Sequence, residues 1–156
     1  MSKSHFQGDD ARYLALVGRQ LFSMIFILAS AGHFTPGAIA LAAEHGVPMA
    51  GLLVPLSGVI ALTGSLSVLF GFRARIGGAL LVVFLVPVTF TMHNFWAAAD
   101  DAAFRLQLLL FLRNIALLGC ALLVTRVGAG SLSLDAAMEG DAFDADGAAH
   151  AARPES

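Results

Sequence analysis

Charge is what this chain has least of. Only 13% of its 156 residues are Asp, Glu, Lys or Arg, about half the roughly 25% usual in soluble proteins. One Cys, one Trp and one Tyr complete a short list of scarce types. The lone Cys120 excludes an intrachain disulfide, a C-x-x-C redox pair and a c-type haem attachment site. It lies within an apolar stretch and reads as a small packing residue. The net charge of −2 excludes the basic stripe that nucleic-acid binding requires. A water-soluble bundle needs a polar face on each helix, yet residues 51–71 and 76–92 hold no charged residue at all.

Four apolar runs fill the chain instead, at 13–34, 51–71, 76–92 and 106–124. At about 1.5 Å per residue they cross, or nearly cross, a hydrocarbon core about 30 Å thick. The third is the shortest and leans on its flanks. Backbone groups in lipid must be satisfied within the segment, so these runs are expected to be helices. The expected fold is an all-α integral membrane four-helix bundle, up-down-up-down, with short links. Residues 1–12 are expected to form a cytoplasmic lead-in and 13–126 the four-span domain. Residues 127–156, rich in Gly, Ala and Asp, are expected to form a disordered acidic cytoplasmic tail. So small a bundle buries little, which makes a homo-oligomer or a larger complex an expected partner arrangement beside the lipid bilayer itself.

Basic residues set the expected orientation. Lys3, Arg12 and Arg19 precede or enter the first run, Arg73 and Arg75 fill the second link, and Arg126 follows the last run; the other two links share only Arg105. The positive-inside rule then places both termini and the second link in the cytoplasm. Residues 21–28, followed by Ala29-Ser30-Ala31, have the outline of a secretory leader. That leader would be long and would carry Asp9 and Asp10, so the stretch is read as an uncleaved first span.

Local signals refine the picture. Pro36 and Gly37 mark the exit of the first span, and 38–47 reads as a short helix on the outer surface, stopped by Gly46. Pro55 is expected in the first turn of the second span, where Pro is tolerated. Ser57, Ala61 and Ser65, with Gly58 and Gly64, give that span a small-residue face for close helix approach. Residues 72–75 are short enough for a tight antiparallel hairpin. Pro87 is expected to kink the third span and free the carbonyl of Val83, with Thr89 or Thr91 as its local partner.

Polar groups gather at the outer end: His33, Glu44, His45, His93, Asn94, Asp100, Asp101 and Arg105, with Trp96 as an interfacial anchor. Four readings compete. Histidines with carboxylates suit a metal, but no H-x-x-H or H-E-x-x-H spacing supports one. His33 and His93 suit axial haem ligation, but nothing in the spacing selects them. A polar vestibule for the head of a quinone or similar lipophilic molecule suits histidine's proton chemistry. The fourth reading is plain contact with water and lipid heads. Deeper down lies Arg113, followed by Asn114; an intramembrane Arg is costly unless it finds a partner. A buried link from Arg113 to His93, Thr89 or Thr91 is the simplest expectation. Arg19 is expected to snorkel to lipid phosphates.

Several stretches resemble the DoxX family of small bacterial membrane proteins. They are Val54-Pro55-Leu56-Ser57-Gly58, Gly64-Ser65-Leu66-Ser67, Leu69-Phe70-Gly71-Phe72-Arg73-Ala74-Arg75-Ile76-Gly77, Phe84-Leu85-Val86-Pro87-Val88-Thr89, Met92-His93-Asn94-Phe95-Trp96 and Phe111-Leu112-Arg113-Asn114. The resemblance implies a four-helix protein of the bacterial inner membrane, associated with thiosulfate:quinone oxidoreductases and with quinone or catechol responses. It carries over His93, Asn94, Phe95 and Trp96, and the pair Arg113-Asn114, where relatives often have Lys-Asn. This chain departs at Ala61, where many relatives carry an acid, and lacks their Lys near His33. The leading expectation is a protein that binds a quinone in support of a redox partner protein, with His33, His93, Asn94, Trp96, Arg113 and Asn114 as candidate ligand contacts. The alternatives are an assembly subunit without a ligand and a small-solute transporter.

Overall fold

The computed structural model describes residues 3–139, with side chains from Asp10 onward. It is built of five α-helices: α1 (Lys3–Ser30), α2 (Pro36–Glu44), α3 (Ala50–Phe70), α4 (Ala74–Met92) and α5 (Asp101–Val127). Single 3-10 turns follow α1 (Ala31–Phe34) and α4 (Phe95–Ala97). There is no strand among the described residues. The stretches Asp10–Phe34, Ala50–Phe70, Ala74–Ala97 and Asp101–Val127 are long and apolar enough to cross a membrane. The all-α membrane bundle expected from the sequence is therefore what the chain forms. Its two ends are called here the termini end and the loop end.

The packing is serial. The α3–α4 hairpin is the centre, α1 lies against α3, and α5 lies against α4. One core of Phe26, Ala61, Val68, Leu81, Phe84, Leu85 and Ala121 joins all four. Of the small-residue face expected on α3, Gly58, Ala61, Gly64 and Ser65 are buried, while Ser57 is half-buried. Two adjacent glycines serve the two neighbours of α4. A Cβ on Gly77 would lie 2.8 Å from the Gly64 carbonyl oxygen, and one on Gly78 would lie 3.0 Å from that of Ala121. Only glycine lets both neighbouring backbones come so near.

The α3–α4 link is as tight as its length implies. Gly71 takes a left-handed φ of +66°, and Phe72 N–H donates to Ser67 O at 3.0 Å, the pattern that closes a helix with a glycine. Pro55 is a correction: α3 starts at Ala50, so Pro55 lies inside the helix rather than in its first turn. Pro87 also lies inside its helix, α4. Neither threonine serves the Val83 carbonyl, because Thr89 donates to Leu85 O at 2.6 Å and Thr91 to Pro87 O at 2.8 Å.

The largest departure lies at the termini end. The segment after α5 was expected to be disordered from residue 127, yet 128–139 is docked. Asp135 accepts from Arg73 N and Ala74 N at 2.7 and 3.1 Å, capping α4, and its own N–H donates to Gly71 O. Arg19 donates to Ala129 O at 2.6 Å and to Leu132 O at 2.9 Å. Arg19 is thus buried under this segment and does not reach for lipid phosphates. The rest of the expected tail, 140–156, lies outside the described residues. At the other terminus, the expected lead-in is helical from Lys3 and continuous with the first span.

Candidate functional site

At the loop end, α2 folds back under the chain that leaves α1. Thr35 makes this possible. Its hydroxyl donates to Gly32 O at 2.8 Å and accepts from Ala38 N, so one side chain closes the 3-10 turn and caps α2. Pro36 supplies the first helical position. The helix expected at 38–47 is therefore α2, begun earlier by its cap. Gly58 lets the turn lie on α3, since a Cβ there would stand 2.7 Å from His33 Cβ. Phe84 of α4 meets the His33 ring edge-on, with centroids 5.4 Å apart.

These elements line an open-sided cavity of about 740 Å³. Its wall is apolar, with Leu41, Val54, Ile60, Phe84, Val88 and Met92 among the lining residues. The polar side chains that line it are His33, Thr35, Ser57 and Thr91. Every one of these has already committed a proton to a nearby carbonyl. Ser57 donates to Val54 O at 2.7 Å, Thr91 to Pro87 O and Thr35 to Gly32 O. His33 Nδ1 lies 3.1 Å from Ala29 O. A carbonyl only accepts, so Nδ1 carries a proton here, and in the neutral imidazole Nε2 is then the acceptor. Val83, another lining residue, has a carbonyl whose helical donor is missing because Pro87 has no N–H. The polar lining therefore offers acceptors and lacks free donors.

The six residues singled out from the sequence fall in three places. His33 lines the cavity. His93, Asn94 and Trp96 sit at the corner between α4 and α5. There His93 Nδ1 pairs with Gln107 Oε1 at 3.1 Å, and Trp96 joins an edge-to-face cluster with Phe95 and Phe111. Arg113 and Asn114 lie halfway along α5 and pair with each other: Arg113 Nε and Nη2 are 3.4 and 3.3 Å from Asn114 Oδ1. The expected link from Arg113 to His93, Thr89 or Thr91 does not form. Among the described residues, no three His, Cys, Asp or Glu gather as a metal site would require.

Sequence reasoning missed the cavity wall, because apolar side chains in a membrane span carry no contrast. It also missed Gln107 as the partner of His93. The available signals were Gly58 opposite the Gly32-His33-Phe34 exit, and the Val83–Pro87 pair, which notches α4 beside the cavity.

The SURF4 family model matches residues 7–139. The chain is also 30% identical over 122 residues to the inner membrane protein YqjF of Escherichia coli (strain K12), covering 77% of this chain and 88% of that protein. No solved structure matches. The resemblance to DoxX is overturned, since the family that matches nearly the whole described chain is another one. The reason is physical. Four of the six stretches that carried it are the small-residue face, the glycine-closed hairpin and the proline notch. A small four-span bundle needs such features to pack, so they mark architecture more than ancestry.

Proposed function

Because the chain belongs to the SURF4 family and is an inner-membrane protein, we propose that it holds a lipophilic molecule with a hydroxylated head in the loop-end cavity. The observation that carries this reading is the cavity's lining. A volume of about 740 Å³ lies within the range of about 300–1,000 Å³ typical of small-molecule sites, which are apolar with few placed polar groups. A lining of acceptors favours a ligand that brings donors. A quinol fits: its hydroxyls donate to His33 Nε2 and to the Ser57 or Thr91 oxygen, and its tail lies among Leu41, Val54 and Met92. The oxidised quinone has two carbonyls and no donor, so it meets like with like. On this reading the protein receives or presents the reduced carrier to a redox partner. The arginine distribution supports a cavity toward the outer leaflet.

The test is binding of decylubiquinol and decylubiquinone to the protein in nanodiscs under anaerobic conditions. The reduced probe is expected to bind about tenfold more tightly, on the order of one hydrogen bond. His33→Ala should remove most of that preference. Filling the cavity with Ser57→Phe should weaken both probes. Equal affinity for the two forms, or a preference untouched by His33→Ala, would sink this reading.

A further inference from the structure

Arg113 sits almost at the midpoint of α5, twelve residues after Asp101 and fourteen before Val127. At about 1.5 Å per residue it lies roughly 18 Å from the loop end of the helix. It is exposed on α5, one residue before the buried Asn114. Its Nε and Nη2 turn sideways to the Oδ1 of Asn114, which is buried against α4 with 4% exposure. Asn114 thereby holds the guanidinium at mid-depth. Both bonds fall on one oxygen, and the Nη1 donors have no partner among the described residues. A fixed cation facing lipid at this depth is costly unless an anion meets it.

The surrounding face has the form of a packing seam. Leu106, Leu109, Arg113, Ala116, Cys120, Leu123 and Val127 are all exposed. They follow one another at alternating steps of three and four, the spacing by which one helix packs along another. Ala116 and Cys120, in the two turns after Arg113, are small enough for close approach. A Cβ on the adjacent Gly119 would meet nothing within 4 Å.

We propose that this face docks a transmembrane helix of a different protein, one that carries an Asp or Glu at mid-membrane to pair with Arg113. Charge selects the occupant. None of residues 11–34, 50–70, 74–97 and 102–127 is an Asp or Glu, so a second copy of this chain has no anion to offer at that depth. A two-fold pairing through the seam would instead bring two Arg113 side chains together. A carboxylate on a foreign helix would meet the free Nη1 side of the guanidinium, a short charge-assisted contact.

The experiment uses the full chain in phosphatidylcholine vesicles at pH 8. The probes are synthetic Leu/Ala single-span peptides with Glu, Gln or Leu at the centre and a dansyl group at one end. Energy transfer from Trp96, the sole Trp, reports association. The Glu peptide is expected to associate roughly tenfold more strongly than the Gln peptide. Arg113→Leu should abolish that difference, Arg113→Lys should keep much of it, and Arg113→Glu should transfer it to a central-Lys peptide. Equal association of the Glu and Gln peptides would overturn the proposal, as would a Glu preference that survives Arg113→Leu. A Cys120–Cys120 crosslink formed by the wild-type chain alone would also overturn it, by putting a second copy on the seam.

Discussion

Two arginines stand inside the apolar spans, and the chain treats them oppositely. Arg19 of α1 is 7% exposed and spends its head group on the carbonyls of Ala129 and Leu132. Arg113 of α5 faces outward and has only the neutral Asn114 beside it. Arg19 fastens the chain to itself. Arg113 is placed where the chain has nothing to give it. The difference separates a structural cation from one kept for a partner, and residue type alone would not reveal it. Removing each residue in turn should therefore give unequal costs.

The largest effect is expected at Arg19. Arg19→Met keeps most of the apolar stem but removes both charge-assisted bonds and leaves the carbonyl of the buried Ala129 without its donor. The cost should be about 3 kcal/mol, read as a lower Tm in detergent. Amide hydrogen exchange should rise sharply across residues 128–135 and much less in the α3–α4 hairpin. A Tm loss without local exchange would place the role of Arg19 in helix packing and weaken the contrast with Arg113.

A second, smaller effect tests whether the rest of the bundle depends on the hairpin rather than on its arginines. Gly77→Val puts side-chain atoms where Ser67 Oγ already stands, 2.5 Å from the position of a Cβ. The expected destabilisation is about 2 kcal/mol, as for overpacking elsewhere. Next comes Asp135, whose carboxylate caps α4. Asp135→Ala should cost about 1 kcal/mol, the usual worth of a helix cap. It should loosen the same 128–135 segment that Arg19→Met releases. If the two variants affect different amides, the segment is held by two independent contacts rather than as one latch.

How much of this was legible follows from what lipid does to a sequence. The four spans were readable because charge is scarce in them, and the hairpin because Gly71 and a short link leave few alternatives. The α3 seam was readable from the spacing of Gly58, Ala61 and Ser65. Asp135 was not, because one acid among several in a Gly- and Ala-rich stretch carries no sign that it will cap a helix 61 residues earlier. Arg19 failed for the same reason: its partners are backbone carbonyls, which have no sequence signature. At the candidate site, His33 was marked for its chemistry. The cavity around it was invisible, since Val54, Ile60 and Val88 look the same whether they face lipid or line a pocket. His33, His93 and Arg113 were grouped as candidate contacts of one ligand. Serial packing instead puts α1 and α5 on opposite sides of the hairpin, and their polar residues with them.

The smallest effect is the most informative. Arg113→Leu removes a charge that this chain does not pair, and it places an apolar side chain on a lipid-facing surface. The expected change in stability is within about 0.5 kcal/mol of zero, as for a surface substitution. The relief of removing a mid-membrane cation opposes the loss of two long bonds to Asn114. Asn114 Oδ1 is then left buried without the Arg113 contacts that serve it, which bounds any gain. A near-zero Tm change for Arg113→Leu beside a large one for Arg19→Met would show that the two positions differ in kind. Loss of fold in Arg113→Leu would mean that the Arg113–Asn114 pair holds α5 to α4, and the outward face would then need no partner to account for its charge.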